Sequence, residues 1–248
     1  AVVSLKILLC GAGGRMGKAI SSISCEHDCE ISFPVDLGDN PADGIDSCDV
    51  VIDFSLREAT LPLAKLSAQA GKPMVIGTTG HQADEKNEIE ALGKQIPMVW
   101  AGNFSTGVNL LFYLTEQAAR VLGSRSNFDA EVIEMHHRLK KDAPSGTADR
   151  LLEILKSSRN LTDSQIAHGR DGIVGERPAD EIGSHALRGG DVVGDHTVMF
   201  AGMGERIELT HRATDRKIFA AGALKAAKWV FGQPPSLYSM QDVLGLTA

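Results

Sequence analysis

The chain opens with short apolar runs that alternate with segments whose apolar residues recur at helical spacing. The runs are continuously apolar, as in LKILLC at 5–10, which is typical of strands buried on both faces of a parallel sheet. Alternating strands and helices therefore predict an open parallel α/β sheet. Its strands are predicted at 5–10, 30–35, 49–54, 73–76 and 97–100, and its later helices at 57–70 and 83–94.

The pattern changes after a long helix predicted at 106–122. Strand-like segments then cluster, and a glycine-rich stretch separates the first of them from the rest. This clustering predicts a second, α+β domain with its own mixed, open sheet. Its elements are predicted as strand 128–135, helix 148–158 and strands 182–188, 196–200 and 206–211, before a helix at 215–231.

The first strand ends in the glycine-rich turn GAGGRMG, which leads into a helix-like segment. A strand, a glycine turn and a helix in this order are typical of a Rossmann-like dinucleotide site. Gly11 permits the tight turn, a residue without Cβ lets the backbone approach a pyrophosphate, and the helix N-terminus offers N–H groups. The alternative is a glycine turn that only closes a loop.

Three other segments also follow predicted strands: Asp36, GTTG at 77–80 and AGNFS at 101–105. Open parallel sheets bind ligands at the carboxyl ends of their strands. Loops between strands and helices favour such residues anyway, which explains each segment singly. Their coincidence at one edge of the sheet favours a ligand site.

Asp36 ends the second predicted strand, where an acidic residue can hydrogen-bond the ribose hydroxyls of NAD. The segment 19–56 contains neither Lys nor Arg, so a 2′-phosphate would find no cation there. The local chemistry therefore favours NAD over NADP. An ordinary turn aspartate is the alternative, because the following LGDNPADG is typical of a loop.

The densest chemistry lies at 131–148, which reads EVIEMHHRLKKDAPSGTA. This run is strongly basic in a protein whose net charge is −7, and a local excess of positive charge suggests an anion-binding site. A solvated basic face is the plainer alternative. The paired histidines and the Ser-Gly-Thr turn favour the binding site.

His136 and Lys140 share a face whether this stretch is extended or helical. Histidine suits proton transfer near neutral pH, and a lysine beside it supplies a cation or a second proton donor. The turn before the next helix can hold a carboxylate or phosphate through N–H and hydroxyl groups. Ser145 or Thr147 could equally serve only as the helix N-cap.

Composition and missing motifs exclude several classes of function. The acidic balance argues against general nucleic-acid binding, and no apolar run approaches the roughly 20 residues of a membrane span. The N-terminal segment lacks the features of a signal peptide. All cysteines, Cys10, Cys25, Cys29 and Cys48, lie in the first fifth without a CxxC motif, which predicts reduced thiols in a cytosolic protein.

Two further site chemistries are also disfavoured. Adjacent histidines diverge on a strand, and the chain has no HxH or HExxH pattern, so no metal site is expected. A short-chain dehydrogenase would need a Tyr-xxx-Lys pair, but neither Tyr113 nor Tyr238 has a lysine four residues on. His136 with Lys140 is therefore the best acid pair available.

The motifs GAGGRMG, VIDFS, GTTG, AGNFS and above all EMHHRLKKDAPSGTA resemble those of dihydrodipicolinate reductase, an enzyme of lysine and diaminopimelate synthesis. The resemblance continues in register through GDHTVMFAGMGERIELTHRATDR to FAAGALKAAKWV, so it spans essentially the whole chain. It implies NAD(P)H-dependent reduction of dihydrodipicolinate (4-hydroxy-tetrahydrodipicolinate) to tetrahydrodipicolinate, with hydride delivered to ring C4. It further implies a homotetramer, and we expect a cytoplasmic enzyme.

The resemblance also implies the domain limits and the site residues. A nucleotide domain at 1–104 is completed by 216–248, and 105–215 form the substrate-binding and oligomerisation domain. Because hydride transfer favours a dry pocket, we also expect closure of the two domains to cover the site. His136 matches the catalytic acid and Lys140 a proton-donating lysine, and Arg138 is expected to be structural. The substrate contacts are His137, Lys140, Ser145, Gly146, Thr147 and Arg216. The cofactor contacts are Gly11, Ala12, Gly13, Gly14, Arg15, Met16, Asp36, Gly77, Thr78, Thr79, Ala101, Gly102, Asn103 and Phe104.

The sequence departs from some family members beside Asp36. Leu37 stands where some members carry an arginine for NADP, and the segment 37–47 is shorter than in many members. Both departures favour NADH, with NADPH as the alternative. Two other functions are weighed: another Rossmann-type oxidoreductase of a small amino or imino acid, which would not need the DAPSGT turn, and a non-catalytic NAD-binding regulator, against which the HHRxK run speaks.

Overall fold

The computed structural model describes residues 4–123 and 127–246. The chain divides into two compact units, Ala1–Thr106 with Arg216–Ala248 and Gly107–Asp215. The predicted domain limits also take in residues 1–3, 124–126 and 247–248, which lie outside the described residues.

The elements follow in chain order. The strands are β1 Leu5–Cys10, β2 Cys29–Val35, β3 Val50–Asp53, β4 Met74–Ile76, β5 Met98–Trp100, β6 Asp129–His136, β7 Ile166–Ala167, β8 Ile182–Arg188, β9 Gly194–Ala201, β10 Arg206–Ala213 and β11 Leu237–Tyr238. The α-helices are α1 Arg15–Ile23, α2 Arg57–Gln69, α3 Ala83–Leu92, α4 Thr106–Val121, α5 Gly146–Arg159, α6 Lys217–Val230 and α7 Met240–Val243.

The first unit contains a six-stranded sheet in the order β11-β5-β4-β3-β1-β2, and each neighbouring pair is parallel. Ile7 and Leu9 of β1 pack in one core with residues of α1, α6 and α7. Leu8 and Cys10 point to the opposite face and pack in a second core with residues of α2 and α3. Burial on both faces explains why the predicted strands are continuously apolar.

The second unit contains a mixed five-stranded sheet in the order β10-β9-β6-β8-β7. Strand β9 is antiparallel to β10 and β6, whereas β8 is parallel to β6 and β7. Alternate residues of the central strand β6, including Ala130 and Val132, pack in a core with residues of α4 and α5. The predicted fold class, a Rossmann-like parallel sheet with a second α+β domain, is confirmed.

Sequence patterns missed the shortest elements. β7 and β11 each have two residues and α7 has four, which is too short for a hydrophobic period to show. Helix α5 begins at Gly146, two residues before the predicted start, because Ser145 is its N-cap and accepts a hydrogen bond from the Ala148 N–H.

The cysteines are free thiols, and Cys10, Cys29 and Cys48 are buried. Burial, with the nearby Asp53 and Cys48, raises the pKa of Cys10 to about 12. Burial also raises the pKa of Cys29 and Cys48. These three thiols therefore act as small apolar side chains.

Within the described ranges, no helix has both the length and the apolar character that crossing a membrane would demand.

Helix α6 packs closely against the loop after β5 through Gly222. A Cβ at this position would lie 1.7 Å from the carbonyl oxygen of Phe104. We expect Gly222→Ala to displace the helix and to lower the free energy of unfolding by about 1–3 kcal/mol. Gly232→Ala is the matched control, because nothing lies within 4 Å of its added Cβ. Urea unfolding measures both variants, and equal losses would contradict this account of α6 packing.

Candidate active site

The glycine-rich turn after β1 is tightly packed. Gly11 has φ of 79°, and a Cβ there would lie 2.2 Å from the carbonyl oxygen of Phe54. A Cβ at Gly17 would lie 2.1 Å from the Gly11 carbonyl oxygen. Glycine is therefore needed at both positions, and their close packing sets the N-terminus of α1 directly at the end of β1.

Helix α1 presents its N-terminus at this edge. Its N-cap is Gly14, which supplies no side-chain hydrogen bond to the first turn. The N–H groups of Arg15 and Met16 in the first turn lack the intrahelical acceptors that later residues have. Together with the helix dipole, they can bind a phosphate.

The Asp36 carboxylate lies close to the same turn. A Cβ at Gly13 would lie 1.9 Å from Asp36 Oδ2. The other oxygen, Oδ1, accepts a hydrogen bond from the Leu37 N–H at 3.0 Å, and the Asp36 N–H donates to Asp39. The carboxylate is thus fixed beside the glycines, as a ribose contact requires.

A cavity of about 720 Å³ opens at the carboxyl ends of β1, β2 and β3. Its lining includes Gly11, Gly14, Asp36, Leu37, Phe54 and Ser55. The volume falls in the range of small-molecule and cofactor sites. The residues of this edge therefore fit a dinucleotide: glycines that admit a backbone approach, a helix N-terminus for phosphate, and a carboxylate for ribose.

The predicted segments after β4 and β5 continue the same edge. The Gly77 N–H donates to the Asp53 carbonyl and the Ala101 N–H to the Ile76 carbonyl, at 2.9 and 3.1 Å. Thr78 Oγ1 accepts from the Ser55 N–H at 3.0 Å. These bonds align the segments that contain Gly77, Thr78 and Thr79, and Ala101, Gly102, Asn103 and Phe104.

Two aromatic side chains, Phe54 and Phe104, pack against these loops. A Cβ at Gly77 would meet the Phe54 ring at 2.2 Å, and Phe54 packs edge-on against Phe104 with ring centroids 5.4 Å apart. The Phe104 side chain is buried in the core. Phe104 thus supports the loop with its ring, and a ligand contact would have to use its main chain.

In the second unit, β6 ends at His136 and the chain then turns. The Lys140 N–H donates to the His137 carbonyl at 3.1 Å, which closes a tight turn. The expectation that the run continues as a strand or a helix through Lys140 is therefore wrong. The turn occurs because β6 reaches the end of its neighbour, since His136 pairs with Arg188, the last residue of β8.

A buried carboxylate anchors the proposed acid. Glu134, 1% exposed, accepts from His136 Nδ1 at 2.6 Å through Oε2. Arg188 binds both oxygens, with Nη1 2.8 Å from Oε2 and Nη2 2.9 Å from Oε1. The Ser145 N–H donates to Oε1 at 3.0 Å. Burial alone would raise the pKa of Glu134, but the hydrogen bonds from Arg188 and His136 outweigh it and hold the pKa below its ordinary value.

His196 of β9 completes the cluster. Its ring lies edge-on to the His136 ring, with centroids 5.1 Å apart, and its Nε2 is 3.1 Å from Ser145 Oγ. Burial, reinforced by repulsion from His136, lowers the pKa of His196 to about 4. His196 is therefore neutral near pH 7, and its Nε2 shares a hydrogen bond with the Ser145 hydroxyl.

The turn and the start of α5 lie beside this cluster. Lys140 Nζ contacts both oxygens of Asp142 at 2.9 Å, and this hydrogen bond lowers the pKa of Asp142. Arg188 Nη2 donates to the Asp142 carbonyl at 2.7 Å. Gly146 and Thr147 form the first turn of α5, so their N–H groups point out of the helix end.

The structure thus brings His136, His137, Lys140, Ser145, Gly146 and Thr147 into one segment at the end of β6 and the start of α5. Arg216 belongs to the first unit, as the N-cap residue of α6.

Sequence reasoning missed Glu134, Arg188 and His196. The alternation of a strand could have revealed Glu134, because it lies two residues before His136 and therefore on the same face. Arg188 and His196 come from other strands, and only the register of the sheet shows their proximity. Within residues 4–123 and 127–246, no cluster of His, Cys, Asp and Glu has the arrangement of a metal site.

Known proteins resemble this chain over its whole length. The family models for the N-terminus and the C-terminus of dihydrodipicolinate reductase match residues 5–104 and 107–244. The 4-hydroxy-tetrahydrodipicolinate reductase of Akkermansia muciniphila is 51% identical over 98% of this chain and 99% of its own length. That of Halorhodospira halophila is 44% identical over 98% of this chain and 100% of its own.

A solved structure shares the fold. Dihydrodipicolinate reductase from Paenisporosarcina sp. TG-14, with bound dipicolinate, superposes with a TM-score of 0.76 and 23% identity, covering 96% of this chain and 98% of that one. Diaminopimelate dehydrogenase of C. glutamicum gives a TM-score of 0.54 at 10% identity, covering 96% of this chain and 93% of that one.

The parallel sheet with its glycine-rich edge and the second, mixed sheet define a nicotinamide-dinucleotide-dependent oxidoreductase. The chain belongs to the dihydrodipicolinate reductase family. The predictions of family, of reaction and of a place in diaminopimelate and lysine biosynthesis are confirmed at this level.

The buried His196 makes stability depend on pH. A histidine in the unfolded chain titrates near pH 6.5, whereas His196 in the folded protein titrates at about 4. Between these values only the unfolded chain binds the proton, so stability is present in full above this window and is lost as pH falls through it. We expect a contribution of about 2 kcal/mol to be lost between pH ~7.5 and ~5.

Urea unfolding of the wild type and His196→Gln at both pH values measures this term. Burial lowers the pKa of His211 as well, but that contribution is common to both proteins. The variant should lose about 2 kcal/mol less than the wild type on acidification. Parallel losses in the two proteins would show that His196 is not the group responsible.

Proposed function

We propose that the second unit binds the dicarboxylate substrate and supplies the proton that its reduction requires, and that the glycine-rich edge of the first unit binds the cofactor. One observation carries the proposal: Glu134 binds both His136 and the Ser145 N–H, at 2.6 and 3.0 Å. This shared anchor fixes a candidate acid beside a helix N-terminus that can hold a carboxylate. The substrate on this proposal is 4-hydroxy-tetrahydrodipicolinate and the product tetrahydrodipicolinate.

Helix α5 supports binding of a carboxylate. It has 14 residues, and the N–H groups of Gly146 and Thr147 add their partial charges to the positive end of its dipole. Lys140 and His137 belong to the turn that precedes this helix end in the chain. Lys140 is held by an exposed carboxylate, Asp142, in a surface ion pair of little net strength, so an incoming substrate carboxylate can compete for it.

His136 supports proton transfer. Glu134 occupies its Nδ1, so exchange with the substrate uses Nε2. Bound NADH or NADPH supplies the hydride, on this proposal to ring C4. Negative charge then develops on the conjugated imine, and a proton from His136 Nε2, or the positive charge of Lys140, compensates it.

The first unit supports NADH as the preferred cofactor. Asp36 and Asp39 both line the 720 Å³ cavity, and Leu37 between them is 87% exposed. Carboxylates hydrogen-bond free ribose hydroxyls but repel a 2′-phosphate. An adenosine end over β1 and β2 would leave the segments after β4 and β5 for the nicotinamide end.

A homotetramer and a cytoplasmic location also belong to the proposal. The outer face of the second sheet, away from the core with α4 and α5, bears the half-buried apolar residues Ile133, Met135 and Met199 beside the ion-pair cluster of Glu131. Apolar residues on one sheet face favour association with further copies of the chain.

The catalytic roles are tested by His136→Gln and Lys140→Met. Turnover of enzymatically generated substrate should fall about 10²–10⁴-fold in His136→Gln, and Lys140→Met should also lower it strongly. NADH binding, followed by nicotinamide fluorescence, should persist in both. Lys141→Met is the matched control, because Lys141 is exposed and adjacent. Near-normal turnover in either variant would remove that residue from the mechanism.

The cofactor preference is tested by comparing kcat/KM for NADH and NADPH. The wild type should prefer NADH, and Leu37→Arg should raise kcat/KM for NADPH about tenfold or more, because an arginine can pair with the 2′-phosphate. Leu37→Met keeps the size without the charge and should leave the preference unchanged. A wild-type preference for NADPH would contradict the role given to Asp36 and Leu37.

A further inference from the structure

We infer that Glu134 is a positioning residue of the reaction. It fixes the tautomer of His136 and holds Ser145, the residue before α5, in a fixed position relative to that ring. This inference rests on the proposed role of His136. It gives a role in the reaction to a residue for which the sequence predicted none.

The first observation is the set of groups around the carboxylate. Glu134 makes hydrogen bonds to His136 Nδ1, to both terminal nitrogens of Arg188 and to the Ser145 N–H. Arginine and backbone N–H groups can only donate. An ionised carboxylate can only accept, so Nδ1 must carry a proton in every charge state of His136.

This constraint determines which nitrogen of the His136 ring keeps its proton and which one can exchange it. The imidazolium carries protons on both, and the neutral ring keeps the one on Nδ1. When His136 acts as an acid, its Nε2–H bond breaks and the proton goes to the substrate, while the Nδ1–H···Glu134 bond persists. The carboxylate also stabilises the imidazolium electrostatically before that transfer, as the buried acid does in histidine–carboxylate pairs of other enzymes.

The surroundings of Nε2 support this assignment. A Cβ at Gly194 would lie 3.0 Å from His136 Nε2, so a side chain at this position would crowd the nitrogen. The groups that face His136 are Glu134 from its own strand, Arg188 from β8 and His196 from β9. Among the residues that the structure describes, Glu134 is the group that hydrogen-bonds the His136 ring, and His196 is neutral near pH 7.

The Glu134 carboxylate also links the proposed acid, His136, to the turn at Ser145 that precedes α5. Its Oε2 accepts from His136, and its Oε1 accepts from the Ser145 N–H one residue before α5. Arg188 bridges both oxygens and also donates to the Asp142 carbonyl. A displacement of Glu134 would therefore move the ring and the helix N-terminus together.

Glu134→Gln separates this role from simple packing. An amide has one accepting oxygen and one donating nitrogen. If its oxygen keeps the Ser145 N–H, its nitrogen faces His136 Nδ1, which can then only accept, and the ring switches to the Nε2–H tautomer. The neutral amide also removes the charge that stabilises the imidazolium.

The chain offers a matched control three residues earlier. Glu131 lies on the opposite face of β6 and likewise binds a histidine, His185, at 2.6 Å and two arginines, Arg170 and Arg177. Glu131→Gln thus removes the same charge from a similar cluster that contains no proposed site residue.

The experiment combines ¹⁵N NMR of histidine-labelled protein, assigned with His136→Gln, and steady-state kinetics over pH. In the wild type, His136 should be the Nδ1–H tautomer when neutral. In Glu134→Gln, it should shift toward Nε2–H, with kcat about 100-fold lower, a smaller change in KM and a displaced pH profile. Glu131→Gln should preserve the tautomer and kcat.

Two outcomes would overturn the inference. One is the observation that neutral His136 in the wild type carries its proton on Nε2. This measurement uses the wild type alone and does not depend on the folding of a variant. The other is a folded Glu134→Gln that keeps the wild-type tautomer and kcat, or that Glu131→Gln matches in both readouts. The tautomer is read without substrate, so a wild type that failed to reduce 4-hydroxy-tetrahydrodipicolinate would instead contradict the proposed function.

Discussion

The second unit depends on one buried negative charge at the end of its central strand. Burying a carboxylate is costly unless donors surround it. Glu134 meets this condition with donors from β6, from β8 and from the turn before α5. These donors come from separate segments of the chain, so the one buried carboxylate fixes the positions of the segments relative to each other. The need of Glu134 for hydrogen-bond donors therefore determines the geometry of the site.

The first unit also has a buried carboxylate at the end of a strand. Asp53 at the end of β3 is fully buried and accepts from Ser55 and from Thr60 Oγ1, the latter at 2.6 Å. It ties the loop after β3 to the first turn of α2, while Ser55 reaches Thr78 in the next loop. In both units a strand ends in a carboxylate that organises the loops around it.

The sequence predicted the elements whose length lets a pattern develop. Continuous apolar runs identified the parallel strands, and the motifs that follow them lie, as expected, along the carboxyl edge of the sheet. The turn after His136 could not be predicted, because it is set by where β8 stops, which is a property of pairing. His196 lacked a local signal for the same reason: its neighbours Glu134 and His211 are lateral partners across β6, β9 and β10.

The first unit is made from both ends of the chain, and the second is continuous. Ala223, Leu224 and Ala227 of α6 cover the face of the sheet that carries Ile7, Leu9 and Val75. During synthesis, α1 can cover only part of that face, and the rest stays exposed until the ribosome has passed α6, after the second unit has been made. Helix α6 therefore completes the first core only after the second unit has been made, and a chain cut before α6 would expose a hydrophobic sheet that quality-control proteases can recognise.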